Sequence, residues 1–417
     1  MEVTLSSQRH PENGTVTIPF PIPSGKYDSY LKQVQELGMG DAVAQDCHVD
    51  RVVGALPVLA CLEGRQANLD ELDYLAHCVE DFLGDEPFLF EASASALGLN
   101  HIRDLINLTQ SMQAATIVRD FSSDRLAEKV REQYLRMNGS APASELNSIG
   151  LAQMMKELFA SGKAQVTPYG VFFGNGMELR QLYTGRSFPA RDDAAKIMAV
   201  VLSREAEPED YTLLHLPVPD SYLARAVIRG GLENEERLRL HMYAESDVDE
   251  IVNVLGEDHT ITLDSGFLEE LNGMCRAAYS LPATDLDKLG AVICFAEPRN
   301  ASEIQRLAEN LGMFEYVPKV QTPEEYAKHL LKDSGLLRED QELAAFFDYK
   351  AYGEQQANLY DGRFSERGYV ALHASITLEE LLMDDPSEPG VKPTIAAQVK
   401  AMRRKMPKAK RRKTPER

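Results

Sequence analysis

The chain repeats itself, and that repetition constrains its fold more than any other feature. Thr15 to Pro23 (TVTIPFPIP) and Tyr211 to Pro219 (YTLLHLPVP) both read as a strand stopped by prolines, with Pro21-Ile22-Pro23 answering Pro217-Val218-Pro219 at an offset of 196. Asp28-Ser29-Tyr30-Leu31 returns as Asp220-Ser221-Tyr222-Leu223 at an offset of 192. A helix capped by Asn68, with Leu72, Leu75, Val79, Phe82 and Leu83 at helical spacing, matches Leu268-Glu269-Glu270-Leu271 with Met274 and Cys275. Next come Ile102, Leu105 and Ile106 against Ile304, Leu307 and Leu311, the second set opened by the capping pattern Asn300 to Glu303. Ser122 and Thr322 stand as N-caps, Gly139 and Gly335 as C-caps, and Tyr169-Gly170-Val171 and Arg367-Gly368-Tyr369 close each half.

Strands and short helices in one order, twice, predict an α+β class: two tandem elongated units of short helices and small antiparallel sheets. The expected boundaries are 1–185 and 196–385, with the linker at Gly185 to Ala195. Beyond Asp384-Asp385-Pro386-Ser387-Glu388-Pro389-Gly390, residues 386–417 read as a disordered basic tail, although Ile395, Val399, Met402 and Met406 also suit a short amphipathic helix.

Charge divides along the same lines. The net charge of −21 resolves into −9 for residues 1–190, −22 for 191–390 and +10 for 391–417. Such segregation predicts different partners for body and tail, or a meeting of the two. A hydrophobic fraction of 44% supports real cores, while no apolar run reaches the roughly 18 residues of a membrane span. The N-terminus lacks a signal-peptide layout. The five scattered cysteines argue against a disulfide framework, so the expected compartment is a reducing cytoplasm, with no membrane partner.

Catalytic motifs do not emerge. GxxxxGK[ST], HExxH and GxSxG are missing, Gly170, Gly174 and Gly176 read as turn glycines, and Cys47-His48 and His77-Cys78 lack the spacing of a zinc site. The expectation is a protein that is not an enzyme, with no cofactor, no metal and no catalytic residue.

Acids concentrate between Glu205 and Glu270, where 17 carboxylates face four arginines. Ser246 to Asp249 fits a capping box, which explains some of them structurally. The expected partner-binding surface comprises Glu233, Glu235, Glu236, Glu245, Asp247, Asp249, Glu250, Glu257, Asp258, Glu269 and Glu270. Carboxylates spread over helix and loop can offer a field comparable to that of duplex DNA; a solvated face serving solubility is the plainer reading.

Phe346-Phe347-Asp348-Tyr349-Lys350-Ala351-Tyr352-Gly353, then Asp361-Gly362 and Phe364-Ser365-Glu366-Arg367-Gly368-Tyr369-Val370, resembles the C-terminal signature of the ArdA antirestriction family. Asp104-Leu105-Ile106-Asn107-Leu108 is similar to members from Gram-positive mobile elements. The resemblance implies an acidic DNA mimic that occupies the DNA-binding groove of a type I restriction-modification enzyme or related host-defence protein. The body would then bind no nucleic acid, whereas the basic tail could. This chain has the length of two such proteins, and its first half carries Ala160-Ser161-Gly162 after Leu158-Phe159 in place of the octapeptide's end. A covalent pseudo-dimer would account for the length, with a homodimer as the other assembly. A protein-interaction or regulatory factor of a mobile element, working through apolar helix faces, is the alternative function.

Overall fold

The computed structural model describes all residues except 24, 55, 120–123, 139–148, 192–195, 247, 335–346, 384–393 and 406–417. Expectations for Ser122, Gly139, Gly335, Phe346, Asp247 and the Asp384–Gly390 boundary therefore lie outside the described residues. The chain is α+β and divides into two compact units, Met1–Arg191 and Asp192–Arg417.

In the first unit β1 (Glu2–Ser6), β2 (Thr15–Pro19), β3 (Cys47–Val53) and β4 (Gln66–Ala67) form an antiparallel sheet of order β2-β1-β3-β4. Helices α1 (Tyr27–Glu36), α2 (Leu69–Glu80), α3 (Glu86–Leu97) and α4 (Ile102–Thr109) follow the chain through and beyond that sheet. Then β5 (Thr116–Val118), α5 (Asp124–Asn138), α6 (Leu151–Ala160), β6 (Ala164–Thr167) and β7 (Gly170–Phe173) build a second sheet of order β5-β7-β6. Alternation along β1 sends Val3 and Leu5 into the core, where Leu69, Leu72 and Leu75 of α2 are fully buried. Each such side chain contributes about 1.5–3 kcal/mol over an exposed one. The first unit runs to Arg191: Phe188 stacks on Tyr74 and Tyr183 at 4.5 and 4.8 Å, and the Tyr74 hydroxyl donates to the Pro189 carbonyl at 3.0 Å.

The second unit uses the same plan. Strands β8 (Met198–Arg204), β9 (Tyr211–Leu216), β10 (Leu238–Ala244) and β11 (Asp258–Ile261) lie in the order β9-β8-β10-β11, with α7 (Asp220–Arg229) after the first hairpin and α8 (Glu250–Leu255) before the edge strand. Helices α9 (Phe267–Tyr279), α10 (Ala283–Ala296) and α11 (Ala301–Glu309) lead to β12 (Phe314–Pro318). After α12 (Pro323–Ser334) and α13 (Tyr349–Asn358) come β13 (Arg363–Phe364) and β14 (Gly368–Leu372), giving the order β12-β14-β13. Both sheets thus repeat the strand order of the first unit, and the peptide bonds before Pro21 and Pro217 are both cis.

Local chemistry explains the parallels. The closing strands begin at Gly170 and Gly368, both at φ +145°, where a Cβ would lie 2.7 Å from the Val118 carbonyl oxygen and 2.3 Å from that of Val317. Only glycine fits there, because the backbone of the neighbouring strand occupies the side-chain position. Asn68 caps α2 in a full capping box with Glu71, and Asn300 accepts from the Glu303 amide at 2.8 Å to start α11. Since α11 begins at Ala301, its buried stripe is Ala301, Ile304, Leu307 and Ala308. Leu311 falls in the following 3-10 turn, so Ile102 corresponds to Ala301, not to Ile304.

The octapeptide has a packing role. Asp348 accepts from the Ala351 amide at 3.0 Å to cap α13, and Phe347 packs edge-on against Tyr349 and Tyr352. Gly353 then meets α12 so closely that a Cβ would sit 1.8 Å from the Pro323 carbonyl oxygen.

Within the tail only residues 394–405 are described, and there the short amphipathic helix is formed. After α14 (Leu378–Leu382), residues Ile395–Lys405 form a helix, α15, with Ile395 and Val399 buried against the second unit. Two apolar residues one turn apart, given an apolar surface to cover, stabilise a helix that would be marginal alone.

Candidate functional site

The expected acidic surface is built from the loop before β10, the turns around α8 and β11, and the start of α9. The structure separates its members into two kinds. Several carboxylates act within the fold. Glu250, at the first turn of α8, accepts two hydrogen bonds from the Arg367 guanidinium, 2.6 and 2.9 Å, and is only 18% exposed. Asp287 holds the same guanidinium at 2.7 Å and also accepts from Tyr316; those bonds, that from Tyr316 foremost, hold the Asp287 carboxyl below its ordinary range. Glu235 accepts from Arg204 at 3.0 Å, Glu245 pairs with His215 at 2.7 Å, and Asp258 with His241 at 2.8 Å. Glu269 is half-buried, accepts from the backbone amide of Ile395, and has its carboxyl pushed up by that burial. Glu233 lies partly buried beside Glu235 and Glu236.

The others face solvent. Glu236, Asp249, Glu257 and Glu270 are exposed, as are Glu209 and Asp264, which belong to the acid-dense stretch but not to the expected set. None of these six forms an ion pair within 4 Å among the described residues. Asp249 occupies the N-cap position of α8 without a side-chain bond, and Ser246 donates to the Ile197 carbonyl instead of capping. The expected capping box is therefore not formed: Glu250 is the first helical residue, too late for a cap at Ser246. Asp247 lies outside the described residues.

The first unit handles equivalent acids differently. On α2, Asp70, Glu71 and Asp73 are covered: Tyr27 donates to Asp70, Arg103 holds Glu71 at 2.8 Å, and the Ile22 amide donates to Asp73 at 2.6 Å. Burial pushes the Asp73 carboxyl up to about 7. At the matching place on α9, Asn272 accepts from the Val218 amide at 2.9 Å. Composition alone could not make this distinction, because Leu-Asp-Glu-Leu and Leu-Glu-Glu-Leu look alike. The nearby Arg103 and Tyr183, which engage Glu71, are the signal that would have told them apart.

Among the described residues no group of three His, Cys, Asp or Glu side chains is arranged to hold a metal, and no helix is long and apolar enough to cross a membrane. All five cysteines are free thiols. His48 and His77 instead lie beside Asp50 and Asp73, at 3.8 and 3.9 Å.

Compared with protein-family models, with curated proteins and with solved structures, the chain gives no match.

Proposed function

We propose that this protein is an acidic DNA mimic of the cytoplasm that blocks the DNA-binding groove of a host-defence enzyme, with a type I restriction-modification complex as the partner its ArdA-like signature implies. One observation carries this reading. The second unit leaves Glu209, Glu236, Asp249, Glu257, Asp264 and Glu270 exposed and without cationic partners among the described residues. A fold that needed these acids for stability would pair or cap them, as it does Glu250 and Glu235. Unneutralised carboxylates on a rigid sheet-and-helix support are suited to lysines and arginines shaped to hold phosphates. The proposed work is binding, with no bond made or broken and no cofactor.

DNA cleavage by a purified type I restriction-modification enzyme, measured with increasing protein at low and high salt, tests the proposal. Inhibition that fades steeply with salt is the expected result. Undiminished cleavage at low salt and saturating protein removes it. A second reading, interaction through an apolar face, draws on the adjacent exposed Leu359 and Tyr360. It predicts partner binding that salt leaves unchanged.

A further inference from the structure

The two sister helices α1 and α7 differ in a way that points to the tail. On α1, Tyr27, Leu31 and Val34 are buried, while Lys32, Gln33 and Glu36 face solvent. This is the single apolar stripe of a surface helix. On α7 the corresponding positions to Lys32, Gln33 and Glu36 are Ala224, Arg225 and Ile228, all buried, and Arg225 is 1% exposed. Burying an arginine is costly without compensating contacts, so a second covered face on α7 is a built feature. Helix α15 is the element that packs against α7.

The fit is amphipathic. Ile395 and Val399 are buried, Gln398 and Met402 are half-buried, and Ala397, Lys400 and Ala401 face out. One acid and one backbone carbonyl hold the start of the helix. Glu269 accepts from the Ile395 amide, and the Leu263 carbonyl from the Ala396 amide at 3.4 Å. Glu233, Glu235, Glu236 and Asp264 line an open hollow of about 400 Å³ together with Ala396. A helix N-terminus carries partial positive charge, so carboxylates around it complement the start of α15.

We propose that this face of the second unit, α7 with the start of α9 and its acidic rim, is a docking groove for a basic amphipathic helix. The chain's own C-terminal helix occupies it in cis as a displaceable latch. The groove selects apolar residues at i and i+4 with basic residues around them, and the latch shields part of the acidic rim until a competing basic surface displaces it. Tethering places the latch at an effective concentration of order millimolar, so an equivalent free helix must compete against it. The inference stands on the packing of α15 and on the acids at its start, independent of which enzyme the acidic face engages.

Two measurements on the full-length protein test it. Hydrogen exchange is expected to show protected amides across 395–402 in the wild type and exchange at least roughly tenfold faster in Val399→Asp, since burying valine contributes that much. A fluorescein-labelled peptide of residues 394–417 is then titrated into both proteins. Saturable one-to-one binding to Val399→Asp, and binding at least roughly tenfold weaker to the wild type, supports the latch. Ile395→Asp is expected to repeat this result. Rapid exchange of 395–402 in the wild type, or equal peptide binding by wild type and both variants, overturns the proposal.

Discussion

Glu250 and Arg367 form a two-point carboxylate–guanidinium pair at 2.6 and 2.9 Å, joining the first turn of α8 to the residue just before β14 across 117 positions of sequence. By charge alone Glu250 looks like one acid in a crowd. In the fold it is a brace, with Asp287 completing the guanidinium's partners.

Removing that brace is expected to cost stability. Glu250→Gln keeps the shape but leaves Arg367 short of charge in a site where both side chains are under a quarter exposed. A loss of about 1–3 kcal/mol is expected, below that of a fully buried pair because solvent still reaches both groups. Thermal denaturation should show a lowered midpoint for Glu250→Gln and an unchanged one for the exposed Glu257→Gln.

Partner binding should follow the solvent-facing acids. Reversing Glu236, Asp249, Glu257 and Glu270 together to lysine is expected to leave circular dichroism unchanged and to abolish inhibition of restriction. Each of these side chains is exposed, so the fold loses little. A folded quadruple variant that still inhibits would remove this surface from the mechanism.

The Gly353 contact makes a sharp steric prediction. Gly353→Ala forces a methyl to within 1.8 Å of the Pro323 carbonyl oxygen, so α12 and α13 must part. Urea unfolding is expected to report a loss of about 2 kcal/mol or more, whereas Gly312→Ala, with nothing within 4 Å, should change little.

Stability should also respond to pH through Asp73. Its carboxyl lies at about 7 in the folded protein against an ordinary 3.8, so between these values the folded state keeps a proton that the unfolded chain releases. Its contribution is therefore fully present below about 4, declines as pH rises to 7, and is lost above. Asp73→Asn copies Asn272, which makes the equivalent bond to Val218 without charge. Urea midpoints across pH 5–8 should be flatter in this variant, and stability at pH 8 higher by roughly 1–3 kcal/mol. An unaltered pH profile would discard Asp73 as the titrating group.

Much of the fold was legible because its signals are local. The prolines after β2 and β9, the Asn68 and Asn300 caps, and the glycines opening β7 and β14 each dictate backbone conformation within a few residues. Such signals recur with the repeat and place the same elements twice. The register within an element was less legible: Leu311 fits the helical spacing of Ile304 and Leu307, yet α11 ends before it. The candidate surface was legible only as a sum of charge. Nothing adjacent to Glu250 announces Arg367, and nothing near Glu269 announces Ile395.

The sequence by itself determined the α+β class, the tandem plan and the division of charge, since these rest on periodicity, capping and composition. Tertiary structure decided which acids brace the fold and which face solvent, and it turned the start of the basic tail into a docked helix. The reason is physical. A carboxylate's role depends on what lies within a few ångströms of it, and those neighbours come from other elements, 117 positions away for Glu250 and 126 for Glu269.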